Sequence, residues 1–197
     1  YPVGTGNVAL GDTALDSVQS AGTYNTAIGH NALTANTTAT NNTSVGAFSL
    51  GSNTTGEANT AVGLAALDAN TTGSNNVGLG RDALGANTTA SSNTAVGYKA
   101  GYLNTTGQYH VYVGDQAGHN NTASDNNIGI GYSALYNNTG ASNTGIGTQA
   151  LLNNTTANNN TAVGNQAAYL NTTGIDNTAI GDIALRGNTT GQSNVAV

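Results

Sequence analysis

Along this chain apolar side chains return at a fixed interval, and each return has the same shape. An aliphatic residue is followed by Gly, three places later by Ala-Leu, and then by a polar run, as in Val62-Gly63, Ala66-Leu67 and Asn70-Thr71-Thr72-Gly73. Aligned on Asn-Thr-Ala-Val/Ile-Gly, the blocks start at residues 7, 25, 42, 59, 76, 93, 110, 127, 143, 160, 177 and 194. The first step is 18 residues, one is 16, and the rest are 17. That makes eleven complete units and the start of a twelfth. The fourth place is always aliphatic, and the fifth is Gly in every complete unit. The eighth is Ala except at Ser49, and the ninth is mostly Leu, with Gly101, Gly118 and Ala168 as departures.

Places one to four alternate in character and are rich in β-branched residues, the pattern of a half-buried strand. Gly at the fifth place permits a corner that other residues resist, and Asn-Thr-Thr-Gly supplies turn chemistry. A helix is excluded by the density of Gly, Asn and Thr. Disordered low-complexity sequence of similar composition has no reason to hold an aliphatic and a Gly at fixed places. One unit cannot bury its own apolar face, whereas stacked units share a continuous one. The pattern therefore predicts an all-β chain, a parallel β-solenoid or β-roll of about eleven 17-residue coils. At about 4.8 Å per coil it forms a rod roughly 53 Å long. Residues 1–6 are a lead-in and 7–197 a single repeat domain.

Within each strand the expectation is that the second and fourth places face inward, as an aliphatic ladder. The third place then faces out. It is small except at Tyr112, giving the column Ala27, Ala61, Gly78, Ala95, Gly129, Gly145, Ala162 and Ala179. A column of small residues lets another backbone approach closely. It is read here as a chain-packing surface of a rod-like oligomer, buried in every copy by closed symmetry.

Blocks such as Asn25-Thr26-Ala27-Ile28-Gly29-His30-Asn31-Ala32 and Asn177-Thr178-Ala179-Ile180-Gly181-Asp182-Ile183-Ala184 resemble the head repeats of trimeric autotransporter adhesins. The longer form with Asn-Thr-Thr-Gly is similar to repeats of tail-fibre-like proteins. The resemblance spans nearly the whole chain. It implies a left-handed parallel β-roll, three chains in one trimer, and a surface that binds host or matrix molecules. The unit here is longer than the usual adhesin head repeat, and heptads of a stalk are absent from these residues.

Composition narrows the chemistry. Asn and Thr supply nearly a third of the 197 residues, while only 6 % are charged, against roughly a quarter in an average domain. The net charge of −6 rests on nine acids and three bases, Arg81, Lys99 and Arg186. With no basic patch, nucleic acid is not an expected partner. No apolar run approaches the roughly 20 residues of a membrane span. Zero cysteines exclude disulfides and thiolate metal sites. So few tryptic sites suit a chain that lives among proteases, and the expected location is extracellular or on a cell or virion surface. The missing initiator Met marks a processed chain or a piece of a longer one.

No catalytic constellation is visible. His30, His110 and His119 occupy the sixth, first and tenth places of different coils and lack ligand spacing. Asp12, Asp115 and Asp182 share the sixth place but lie coils apart. The reading is therefore no enzyme, no metal and no cofactor. Asn-x-Ser/Thr recurs at Asn36, Asn53, Asn70, Asn87, Asn104, Asn154, Asn171 and Asn188. These are glycosylation candidates if a glycosylating cell secretes the chain; otherwise they are turn residues. Tyr98, Tyr102, Tyr109 and Tyr112 fall in adjacent coils and form a candidate contact patch for a glycan or a neighbouring rod. The expected function is a rigid, protease-resistant fibre segment that presents a repetitive surface for multivalent attachment. Its partners are itself, as a homotrimer or filament, and surface glycans or matrix. The alternatives are a subunit of a self-assembling filament, through pairing of open strand edges, and an ice- or glycan-binding solenoid built on the second-place Thr column.

Overall fold

A computed structural model describes residues 4–197, so Tyr1–Val3 of the predicted lead-in lie outside it. Its twelve strands run from β1 (Val8–Leu10) to β12 (Val195–Ala196), one per coil and two or three residues long. They form one parallel sheet whose spatial order is the chain order. The register is place on place, for example Thr43 on Thr60, Ser44 on Ala61 and Val45 on Val62. The expected β-solenoid of about eleven 17-residue turns is the fold.

The remaining sides of each coil are turns that also bond along the axis. Asn31 N–H donates back to Asp12, Leu33 N–H forward to Ser49, and Asn41 N–H back to Thr23. These three residues stand at the seventh, ninth and last places, and all have left-handed φ (54°, 52° and 60°). The same places are left-handed in every complete coil. A non-glycine residue there costs roughly 1 kcal/mol or more. The conformation turns each N–H parallel to the rod, where a neighbouring carbonyl receives it. At the fifth place only Gly fits. Gly63 has φ 134°, and a Cβ on it would lie 2.7 Å from the Gly80 carbonyl.

The pleat is inverted relative to the expectation. Third-place Ala27, Ala61, Ala95, Ala162 and Ala179 are fully buried, while the second and fourth places face outward. Ile28, Leu79, Ile130 and Ile180 are each at least a third exposed. The cause is the width of the interior. Leu67, at the ninth place on the opposite wall, reaches across until its Cδ1 lies 3.3 Å from where a Gly78 Cβ would be. Leu135 does the same at Gly145. Only a small third-place side chain fits opposite such a Leu. The small-residue column is thus one wall of the rod's own core, not a surface for another chain.

Exceptions to the repeat compensate one another inside this core. Ser44 and Ser49, both polar, occur in one coil. Their hydroxyls meet at 2.5 Å, one donating to the other, and the second hydroxyl donates to a backbone carbonyl, that of Ser49 or Gly46. Tyr112 stands at the third place of the second of two adjacent coils that lack their Leu. Its ring fills the space left at Gly101 and Gly118, where a side chain would run into it.

Candidate functional surfaces

Two polar ladders run inside the rod. At the first place, Asn42 N–H donates to Asn25 Oδ1 (3.0 Å), and Asn59 N–H to Asn42 Oδ1 (2.9 Å), and so on along the chain. At the twelfth place, Asn70 Nδ2 donates to Asn53 Oδ1, and Asn87 Nδ2 to Asn70 Oδ1, both at 2.8 Å. Asn42 and Asn53 also clamp one turn carbonyl, Gly56 O, from two sides at 2.9 Å. Hydrogen-bonded buried amides of this kind hold coils in register, because a slip would orphan the set.

The twelfth-place ladder contains the glycosylation candidates. Asn36, Asn53, Asn70, Asn87, Asn104, Asn154 and Asn171 are all buried, and Asn188 in the last complete coil is half-buried. Their amides are directed into the rod, so these eight places offer no accessible acceptor nitrogen in a folded coil, whereas Asn41 and Asn159, which also head Asn-x-Thr triplets, are exposed. Glycopeptide mapping of protein secreted from a glycosylating host is expected to find these eight asparagines unmodified. A mass increment mapped to Asn70 would refute this.

The first-place ladder has one foreign member. His110 replaces Asn, donates its backbone N–H to Asn93 Oδ1 (3.0 Å) and accepts the Asn127 N–H at Nδ1 (3.2 Å). It stacks on Tyr112 with ring centroids 5.0 Å apart. Asn121 leaves its own ladder to reach this pair: its Nδ2 donates to the Tyr112 hydroxyl (2.8 Å) and lies 2.9 Å from His110 Nε2. The diversion leaves Asn104 Oδ1 buried with no hydrogen-bond partner. Burial lowers the His110 pKa to about 4, against a smaller opposing effect of Asp125, and burial raises that of Tyr112 well above its usual value. Both rings are neutral at pH 7. The ring pair is structural.

The four predicted contact tyrosines are therefore not one patch. Tyr112 is core. Tyr109 is 60 % exposed but stands at a last place, away from the others. Tyr98 and Tyr102 do share a face, together with two of the three bases. Lys99 Nζ sits over both rings, 5.4 and 4.9 Å from their centroids, and the Arg81 guanidinium lies 5.5 Å from the Tyr98 ring. At the tenth place Tyr102, His119 and Tyr136 follow one another in consecutive coils, with centroids 5.4 and 5.0 Å apart. The signal was available: the tenth place gathers aromatics in these coils and nowhere earlier in the chain.

The second notable surface is the outer face of the sheet. Every second- and fourth-place residue from Val8 to Val197 is Thr, Val, Ile or Leu, and none is charged. Thr26, Thr43, Thr60, Thr94, Thr144, Thr161 and Thr178 interleave there with aliphatics. Among the described residues no three His, Asp or Glu side chains converge as a metal site. Nor is any helix there long and apolar enough to cross a membrane. Comparison with known protein families, with curated proteins and with solved structures finds no match.

Proposed function

We propose that this chain is a segment of an extracellular or surface-displayed fibre, a rigid solenoid that sets distance, associates with copies of itself and presents repeated attachment surfaces. The observation that carries the reading is the outer sheet face. It is an uncharged, largely aliphatic ribbon on a chain that otherwise covers itself with amides and hydroxyls. Twelve strands at about 4.8 Å and roughly 10 Å of strand width give on the order of 500 Å² per copy. Two such faces together reach about 1,000 Å², the lower limit for a specific interface. Threefold closure would bury the ribbon of every copy, and an open arrangement would yield a filament. Rigidity follows from backbone bonding that runs along the axis on all sides of the coil, which also withholds extended segments from proteases.

Native mass by light scattering after size exclusion tests this. A trimer is expected, and Val62→Lys with Val96→Lys should return it to monomer without unfolding the coils. A wild-type monomer would overturn the self-association. The free sheet face, with its outward Thr column, would then favour ordered-water or ice binding, read as thermal hysteresis.

A further inference from the structure

Charge and aromatic side chains are scarce on this rod, yet one stretch of its surface concentrates them. The coils starting at Asn76, Asn93, His110 and Asn127 carry Arg81, Tyr98, Lys99, Tyr102, His119 and Tyr136. Arg81 is held by Asp82 at 3.2 Å. Lys99 has no ion pair among the described residues and rests between the Tyr98 and Tyr102 rings. Such cation–π contact holds an ammonium in place without neutralising it. The phenol hydroxyls of Tyr98, Tyr102 and Tyr136 make no hydrogen bond within the described chain, and Tyr98 is 37 % exposed. His119 Nδ1 is taken up by Asn120 Oδ1 at 2.7 Å, which leaves Nε2 for another partner.

The ring geometry selects the kind of ligand. His119 and Tyr136 stack at 18° between planes, and Tyr102 and His119 at 37°. Their faces are spent on one another, so the column offers ring edges and polar atoms at coil spacing instead of open faces. It spans two coil steps, about 10 Å along the axis. A ligand matched to it is extended, rich in hydroxyls, and carries a negative charge for Lys99. Asp115 lies one coil beyond Tyr98 in the sixth column and accepts from Gln116 Nε2 at 3.0 Å. It places a carboxylate in the same stretch of surface, one coil from Tyr98, so a densely charged polyanion is disfavoured relative to one with hydroxyls between its carboxylates.

We infer that the surface formed by Tyr98, Lys99, Tyr102, His119 and Tyr136 is a binding site for an acidic polysaccharide of the uronate class, with a sugar carboxylate on Lys99 and sugar hydroxyls on the Tyr and His edges. This gives the attachment reading above a ligand. It does not depend on association between copies, because the patch and the sheet face are separate.

The test is binding of the full chain to oligogalacturonate, followed by calorimetry at low ionic strength, with dextran and polyaspartate as comparison probes. Oligogalacturonate is expected to bind, more weakly as salt rises, and dextran not to bind. Lys99→Gln should weaken binding about tenfold or more, as should Tyr102→Ser, while Asp115→Asn should tighten it severalfold. Arg186→Gln, on a remote coil, should change nothing. Native mass measured on each variant separates a lost site from altered assembly. Absence of oligogalacturonate binding would overturn the proposal, as would binding indifferent to Lys99→Gln. Equal or tighter binding of polyaspartate would replace it with recognition of acidic peptide.

Discussion

Replacing Tyr112 with Ala is expected to lower the stability of the rod by about 4 kcal/mol, the range for removing a large buried ring without refilling its space. The loss has two parts. The ring occupies the volume that Leu fills in other coils, since Gly101 and Gly118 flank it. Its hydroxyl also takes a hydrogen from Asn121 Nδ2, a bond lost beside the already unpartnered Asn104 Oδ1, although that amide keeps the Ser124 carbonyl as an acceptor. The thermal midpoint followed by circular dichroism should fall by roughly 10 °C for a chain of this size. The same argument names the repair. Gly101 and Gly118 have φ of 59° and 62°, close to the 51° of Leu84 and 56° of Leu135 at equivalent places. Leu at both positions therefore restores the ordinary core once the ring is gone. Gly101→Leu/Tyr112→Ala/Gly118→Leu should recover most of the loss, whereas Gly118→Leu alone should be destabilising because it meets the ring. A single Tyr112→Ala variant that melts like the parent would sink this account.

How much of this was legible follows from the same residues. The coil boundaries, the parallel in-register sheet and the Gly corners were written in the spacing, because stacking demands equality from coil to coil. Which face of the strand turned inward was not. Thr-Ala-Val alternates with period two whichever way it is mounted, and the reflex that burial favours the larger aliphatics points to Val62 and Ile28. What decides the matter is the opposite wall: Leu67 and Leu135 reach so far across that only Ala or Gly fits in front of them. Local sequence holds no record of that width. Paired exceptions do. Tyr112 between Gly101 and Gly118, and Ser44 with Ser49, are large-for-small and polar-for-apolar exchanges within or between touching coils. They state directly that the third, eighth and ninth places share one interior. The Asn-x-Thr column misled for a related reason. Its Asn is a turn residue and a glycan candidate by sequence alone, and only the fold shows that the turn carries the amide inward to bond the neighbouring coil. The patch around Lys99 was half visible, since the Tyr residues were noticed but their sides of the coil were not.

The second large effect concerns acid. A neutral His110 ring can accept a hydrogen bond at one nitrogen or the other. The protonated ring can accept at neither, and it then faces the Asn127 N–H on one side and the Asn121 amide on the other. Burial opposes the charge as well, and Asp125 offsets this only in part, so the folded-state pKa is about 4 against an ordinary 6.5. The unfolded chain therefore binds more protons than the folded one between these values. Stability from this residue is fully present above about pH 6.5 and is lost progressively as pH falls toward 4. A shift of this size corresponds to about 3 kcal/mol. It falls on the coils where the twelfth-place ladder is already interrupted, so opening should begin between the coils starting at Asn93 and Asn127. His110→Asn restores the ordinary ladder member and should remove this part of the pH dependence, leaving only the gradual titration of scattered acids. Chemical denaturation at pH 7, 6, 5 and 4.5 compares the two chains directly. Parallel loss in both would show that His110 is not the acid-sensitive element. A loss confined to the parent, with hydrogen exchange rising first in residues 104–127, would place the rod's weakest seam at this one imidazole.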